Sequence, residues 1–231
     1  DQFGTTEAQF AEAAVSCRAW ASQHPKAQMR DLVSVEDVMN SRAIADPLKV
    51  LDCSLVSDGG AAVVITRKDR AKDGPHKPVT LLGYGEGHAY EHISQAKDLT
   101  TSAAVQSGRA AYAEAGLTPD DIDLLQLYDC FTPALLMQIE DLGFCGKGEG
   151  GAWLASGISR PGGSKPMNTH GGMLSYCHPG NPGAMFGLTE AITQMRGDAG
   201  KRQLPKMQTA LCHAQGGIMS SHATIILGVE D

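Results

Sequence analysis

Ile122-Asp123-Leu124-Leu125-Gln126-Leu127-Tyr128-Asp129-Cys130-Phe131-Thr132-Pro133-Ala134-Leu135-Leu136-Met137-Gln138-Ile139 joins two apolar runs through a turn of reactive side chains. The first run, Ile122–Leu127, has the length of a buried strand. The second opens on Pro133, which suits the first turn of a helix, and Pro133–Leu142 reads as that helix. A strand feeding a helix in this way is the building unit of α/β proteins, and their sheets present reactive groups where strands end. Tyr128 stands at that exit.

Working outward, the same alternation recurs. Thr5 or Thr6 caps a helix with Glu7 in its first turn and Phe10, Ala13, Ala14 and Cys17 at helical spacing, and Gln23-His24-Pro25 ends it. Leu32–Val35 reads as a short strand, Val35–Asn40 as a helical turn, and Ala45-Asp46-Pro47-Leu48 as a turn. Ser57-Asp58-Gly59-Gly60 is a glycine turn before Ala61–Thr66, an apolar run of the kind buried inside a layered sheet. Lys68–Pro78 has linker composition. Val79–Tyr84 is a strand, Ala103–Ala115 a helix stopped by Gly116, and Leu117–Asp121 a turn. Gly143–Gly163 reads as a long, partly mobile loop. Asn168–Gly187 is a second glycine-rich loop leading into a helix over Ala184–Arg196, and Met207–Cys212 and Ala223–Val229 are strands.

Composition excludes several functions. The 231 residues carry a formal net charge of −7, with 42% hydrophobic and 19% charged residues. A weakly acidic balance without a Lys/Arg run argues against nucleic acid. No apolar stretch approaches the roughly 20 residues of a membrane helix. The start lacks the basic and apolar regions of a signal peptide and reads as a chain entered midway. Cys17, Cys53, Cys130, Cys145, Cys177 and Cys212 show no CxxC spacing, so they read as reduced thiols of a cytoplasmic protein and not as metal ligands. His88 and His92 are four apart, but Tyr90 and Glu91 complete no metal signature, leaving a solvated helix or loop. Met137, Met173, Met185 and Met219 suit either core or an apolar pocket.

Three segments carry a family resemblance: Tyr128-Asp129-Cys130-Phe131, Asn168-Thr169-His170-Gly171-Gly172-Met173-Leu174-Ser175-Tyr176-Cys177-His178-Pro179-Gly180, and Cys212-His213-Ala214-Gln215-Gly216-Gly217. In order and context they resemble three active-site loops of the thiolase superfamily. Ser57–Ala62 resembles the last strand of that family's N-terminal domain. The Asp-Cys-Phe triplet resembles the sterol-carrier-protein-2 thiolases, with Tyr128 in place of their His. The two tyrosines resemble the lipid-transfer-protein-like aldolases of steroid side-chain degradation. The resemblance implies a layered α/β/α fold, mostly the C-terminal half. Residues 1–70 would be the tail of the N-terminal domain, 71–78 a linker and 79–231 the C-terminal domain. It also implies a homodimer, a partner subunit with an OB-fold domain, and no cofactor beyond coenzyme A carried on the acyl-CoA substrate.

The implied reaction is retro-aldol cleavage of a bulky, steroid-like β-hydroxyacyl-CoA. It needs a base for the β-hydroxyl and donors for the enolate oxygen. Tyr128 and Tyr176 would be the acid–base pair, with an ordinary phenol pKa of about 10 that demands a helpful neighbour; otherwise both simply pack. His178, in a Gly/Pro-rich loop, would donate to the enolate oxygen or polarise Tyr176. His213, read at the end of a strand before Gly216 and Gly217, would complete the oxyanion site or cap the strand. Cys130 is a proton-exchanging thiolate or plain core. Asp129 orients a loop or caps a helix, placing it with Asn168, Gly171, Gly172, Gly216 and Gly217 around the substrate. Two alternatives remain: a thiolase or acyltransferase whose nucleophilic cysteine lies on an absent N-terminal half, and a non-catalytic lipid- or acyl-CoA-binding subunit.

Overall fold

The computed structural model describes residues 2–229; Asp1, Glu230 and Asp231, at the outer ends of the expected domains, lie outside the described residues. The N-terminal part holds one long helix and short elements joined by irregular chain. Helix α1 (Glu7–Ala21) starts at Thr6, whose side chain and that of Gln9 form a reciprocal capping box. Ser34 and Asp37 repeat that device at α2 (Val35–Met39). Strands β1 (Ala43–Ala45) and β2 (Leu48–Lys49) pair across the Asp46–Pro47 turn. A single helical turn, α3 (Lys68–Ala71), follows, and residues 72–79 carry neither helix nor strand.

The rest is built on a four-stranded sheet in the order β3-β6-β5-β4. Strand β3 (Thr80–His88) leads to α4 (Ala104–Ala115), which ends at Gly116 in the left-handed conformation. Strand β4 (Leu124–Gln126) feeds α5 (Thr132–Asp141). Three helices follow: α6 (Gly150–Ala155), α7 (Gly172–Ser175) and α8 (Gly183–Arg196). Strands β5 (Thr209–Gly216) and β6 (Ser221–Gly228) close the chain. The β3–β6 and β5–β6 pairs are antiparallel, and β4 runs parallel to β5.

Helices cover both faces. On one, α4 and α5 pack with Leu125, Leu135, Ile139, Leu142, Leu154 and Leu211, all buried, and each such side chain contributes roughly 1.5–3 kcal/mol of burial. On the other, α8 lays Ala191 and Met195 over Leu124, Ala210 and Leu227. The tight α4–β3 approach has a plain cause. Gly83, Gly85 and Gly87 present no side chain where a Cβ would strike the carbonyls of Ala111, Ser107 and Ala103.

Five expectations change. Leu32–Val35 is no strand: Leu32 is exposed and Ser34 is engaged as a helix cap. Ala61–Thr66 forms no strand either, with Val64 96% and Ile65 88% exposed, because no strand of this chain lies beside it. Gly143–Gly163 is not one open loop; it holds α6, whose Leu154 is fully buried. Cys212–Gly216 is part of β5 and not a loop, and His88 ends β3.

Candidate active site

Strand β4 stops at Gln126, and the chain carries Tyr128 out of the sheet toward the loop of His178. The Tyr128 hydroxyl lies 2.9 Å from His178 Nε2. On the other side of the ring, Ser54 Oγ lies 2.9 Å from Nδ1. The His178 backbone N–H donates to Ser57 Oγ at 2.8 Å, fixing the loop from behind. Burial lowers the imidazole's affinity for a proton, while the nearby Leu55 carbonyl opposes that slightly. Burial, with the Cys130 and Asp129 charges, pushes the Tyr128 phenol up to about 12. The resting pair is therefore phenol and neutral imidazole. With the ring's single N–H on Nδ1, beside Ser54 Oγ, Nε2 is the acceptor for the Tyr128 hydroxyl, and this is the tautomer the proton transfer requires.

Asp129, fully buried, turns inward. Its carboxylate accepts from Met173 N at 2.8 Å and Leu174 N at 3.2 Å, and from the Cys17 thiol at 3.3 Å. It thus caps the first turn of α7, and burial raises it to about 6. Its expected place beside the substrate is corrected: it orders the loop. Gly171 and Gly172 serve the same end. Both have positive φ (111° and 64°), and a Cβ on Gly172 would collide with the Asp129 carboxylate. Asn168, buried, also faces backbone: Oδ1 accepts from Leu127 N at 2.8 Å and Nδ2 donates to Leu127 O at 3.0 Å.

Tyr176 does not join Tyr128 and His178. Its ring meets His24 at 4.7 Å, His170 at 5.3 Å and Phe186 at 5.7 Å between centroids. It borders a cavity of about 320 Å³, shared with Lys26, Glu190 and Arg202. Its hydroxyl makes no hydrogen bond among the described residues. The expected Tyr176–His178 pairing is replaced by Tyr128–His178.

His213 is also corrected. It lies inside β5, buried, with Nδ1 2.8 Å from Thr224 Oγ1 and Nε2 3.0 Å from His222 Nδ1. Met219 O can only accept, so His222 Nε2–H donates to it, His213 Nε2–H donates to His222, and Thr224 donates to His213. Both ring nitrogens are used, leaving none for an enolate. Gly216 ends β5 and Gly217 (φ 57°) opens the turn toward β6. Cys130 is core-like: burial pushes its thiol up to about 12, and it accepts from Gln215 Nε2 at 3.7 Å. The other five thiols are raised by burial as well, so none of the six is a resting thiolate.

Sequence reading missed Ser54 and Gln138. Ser54 lies between the Ala45–Leu48 turn and the glycine turn at Ser57–Gly60, where a serine draws no notice. Gln138 sits in an otherwise apolar helix face, and a lone amide there was the available signal. No group of three or more His, Cys, Asp or Glu among the described residues is placed to hold a metal ion. No helix there is long and apolar enough to cross a membrane.

Comparison with known proteins gives concordant matches. Residues 85–229 match the thiolase C-terminal domain-like family. The chain is similar to an acetyl-CoA acetyltransferase of Methanothermobacter thermautotrophicus, 39% identical over 94% of this chain and 57% of that protein. It is similar to a steroid side-chain-cleaving aldolase of Thermomonospora curvata, 37% identical over 99% of this chain and 59% of that one. Among solved structures, the Ltp2-ChsH2(DUF35) aldolase superposes with a TM-score of 0.91 at 36% identity, covering 99% of this chain and 60% of that chain. The chain therefore spans little more than half the length of these relatives. With the family match, the sheet order and the three segments in agreement, the chain belongs to the thiolase superfamily.

Proposed function

We propose that the protein containing this chain cleaves a bulky, steroid-like β-hydroxyacyl-CoA by a retro-aldol reaction. The Ser54–His178–Tyr128 hydrogen-bonded line carries the reading. A phenol held at about 12 is a poor base alone, but one already donating to a neutral imidazole can take a substrate proton while passing on its own. Tyr128 takes the β-hydroxyl proton and delivers its own to His178 Nε2. The Cα–Cβ bond breaks, its electrons entering the thioester enolate, and a carbonyl compound leaves. The proton left on His178 returns through Tyr128 to Cα of the enolate, which completes a shortened acyl-CoA and restores the phenol–imidazole pair. No covalent acyl-enzyme is needed.

Tyr176, which lines the cavity with His24 and His170 and not with Tyr128 or His178, belongs to this reading as a second phenol offered to the substrate. The likeness to the Ltp2-ChsH2(DUF35) aldolase supports a partner subunit, for which an OB-fold domain is our proposal, along with homodimer formation. Coenzyme A enters only as part of the substrate. The experiment is to give the full protein a β-hydroxyacyl-CoA and identify products. A free ketone or aldehyde with a shortened acyl-CoA, formed without added coenzyme A, supports the reading; products only when free coenzyme A is supplied reject it. An acyltransferase would instead leave the β-hydroxyacyl-CoA intact and cleave a β-ketoacyl-CoA with free coenzyme A, a reading favoured by the likeness to an acetyl-CoA acetyltransferase.

A further inference from the structure

The ladder between β4 and β5 ends at the Gln126–Cys212 pair, yet the chain stays extended for two more residues. Two side-chain amides take over from the missing strand. Asn168 satisfies both backbone groups of Leu127, as described above. Gln138, from α5, does the same for the next residue: Oε1 accepts from Tyr128 N at 3.0 Å and Nε2 donates to Tyr128 O at 2.7 Å. Exchange of both bonds with one residue is what an opposing residue on an antiparallel strand provides. Successive residues turn these groups to opposite edges, so the two amides grip the extension from either side. Both amides are fully buried.

Gln138 reaches further. Its Nε2 also lies 3.3 Å from Gln215 Oε1 on β5, and Gln215 in turn donates to Cys130 Sγ. The neighbours of Gln138 on α5, among them Leu135 and Ile139, are apolar core. A buried amide among them is costly unless its hydrogen bonds are made, and an apolar residue would pack the helix as well. The amide's position makes sense by what it holds.

We propose that Gln138 is a positioning residue for Tyr128, fixing that residue's backbone so that the phenol meets His178 Nε2. The inference rests on Tyr128 being the acid–base group, but its test has a readout independent of turnover. The full protein, labelled with ¹³Cζ-tyrosine, is compared with Gln138→Met, which loses both bonds, and with Gln138→Glu, which keeps an acceptor for Tyr128 N–H. Ser16→Ala, which loses the remote buried Ser16–Ser159 bond, controls for general loosening.

Gln138→Met is expected to shift the Tyr128 resonance and lower kcat by about tenfold or more, the loss of one net hydrogen bond, with KM changed less than about threefold. Gln138→Glu should fall between it and the parent, and Ser16→Ala should leave the resonance in place. If Gln138→Met fails to fold, Gln138→Glu decides alone. A folded Gln138 variant with the parent's resonance and kcat overturns the proposal. Should the parent cleave no β-hydroxyacyl-CoA, the functional reading falls, and the resonance still judges the clamp.

Discussion

A phenol that accepts a proton at neutral pH needs somewhere to send its own, and of the two tyrosines Tyr128 has that outlet and Tyr176 does not. The outlet works only while His178 is neutral. Its affinity for protons is lowered by burial, so the rate should hold as pH falls toward the ordinary histidine value of about 6.5 and decline below it. Tyr128 is raised, so no alkaline decline belongs to it below about 10. A pH–rate profile checks this, and an alkaline loss near pH 8 would contradict it. Ser54→Ala removes the partner of Nδ1 and should slow cleavage on the order of tenfold without unfolding the protein. Steady-state kinetics beside a thermal melt separates the two effects. His178 was readable because a histidine amid Gly and Pro lies on no packing face. His213 was misread because spacing put it at a strand end, whereas the β5–β6 ladder runs on to Gly216 and buries it.

At the level of elements, local signals sufficed where they were strong. The caps of α1 and α4, the periodicity of α5 and α8, and the apolar run at β4 all stand in the sequence. The run Ala61–Thr66 carried an equally strong apolar signal and forms no strand, because pairing depends on a neighbour and not on the run itself. Val64→Asp should therefore change stability by no more than about 0.5 kcal/mol, read by urea unfolding. A loss of several kcal/mol would mean the run is paired in solution. Gly172→Ala should do the opposite. Its positive φ and the Asp129 carboxylate in the path of a Cβ predict a cost of roughly 1–3 kcal/mol or more, seen as a lower urea midpoint with an unchanged slope. α6 was not readable: six residues opening on Gly150-Gly151 carry little helical signal, and tertiary burial of Leu154 decides the matter.

Across the whole molecule, the α/β layering and the family were visible in the order of motifs, but the meeting of loops was not. Nothing in the spacing of residues 24, 170 and 176 says that their rings touch. That cluster sets an acid sensitivity. His24 and His170 are lowered to about 4, chiefly by burial, so the unfolded chain binds more protons than the folded one between about 4 and 6.5. Stability is then complete above that window and is lost as pH falls through it. Glu190, held low chiefly by Arg202 against burial, adds a further loss below its ordinary range. Asp129, raised to about 6, works the other way and softens the decline. Melting temperatures from pH 7 to pH 4 should fall, and a flat series would refute the cluster. The account as a whole depends on one proton passing between two side chains. Its most direct measurement is the single-turnover cleavage rate of Tyr128→Phe in the full protein. The rate should drop by roughly 10²–10⁴ while substrate affinity is kept. A rate equal to the parent's would show that the Tyr128–His178 contact is packing and nothing more.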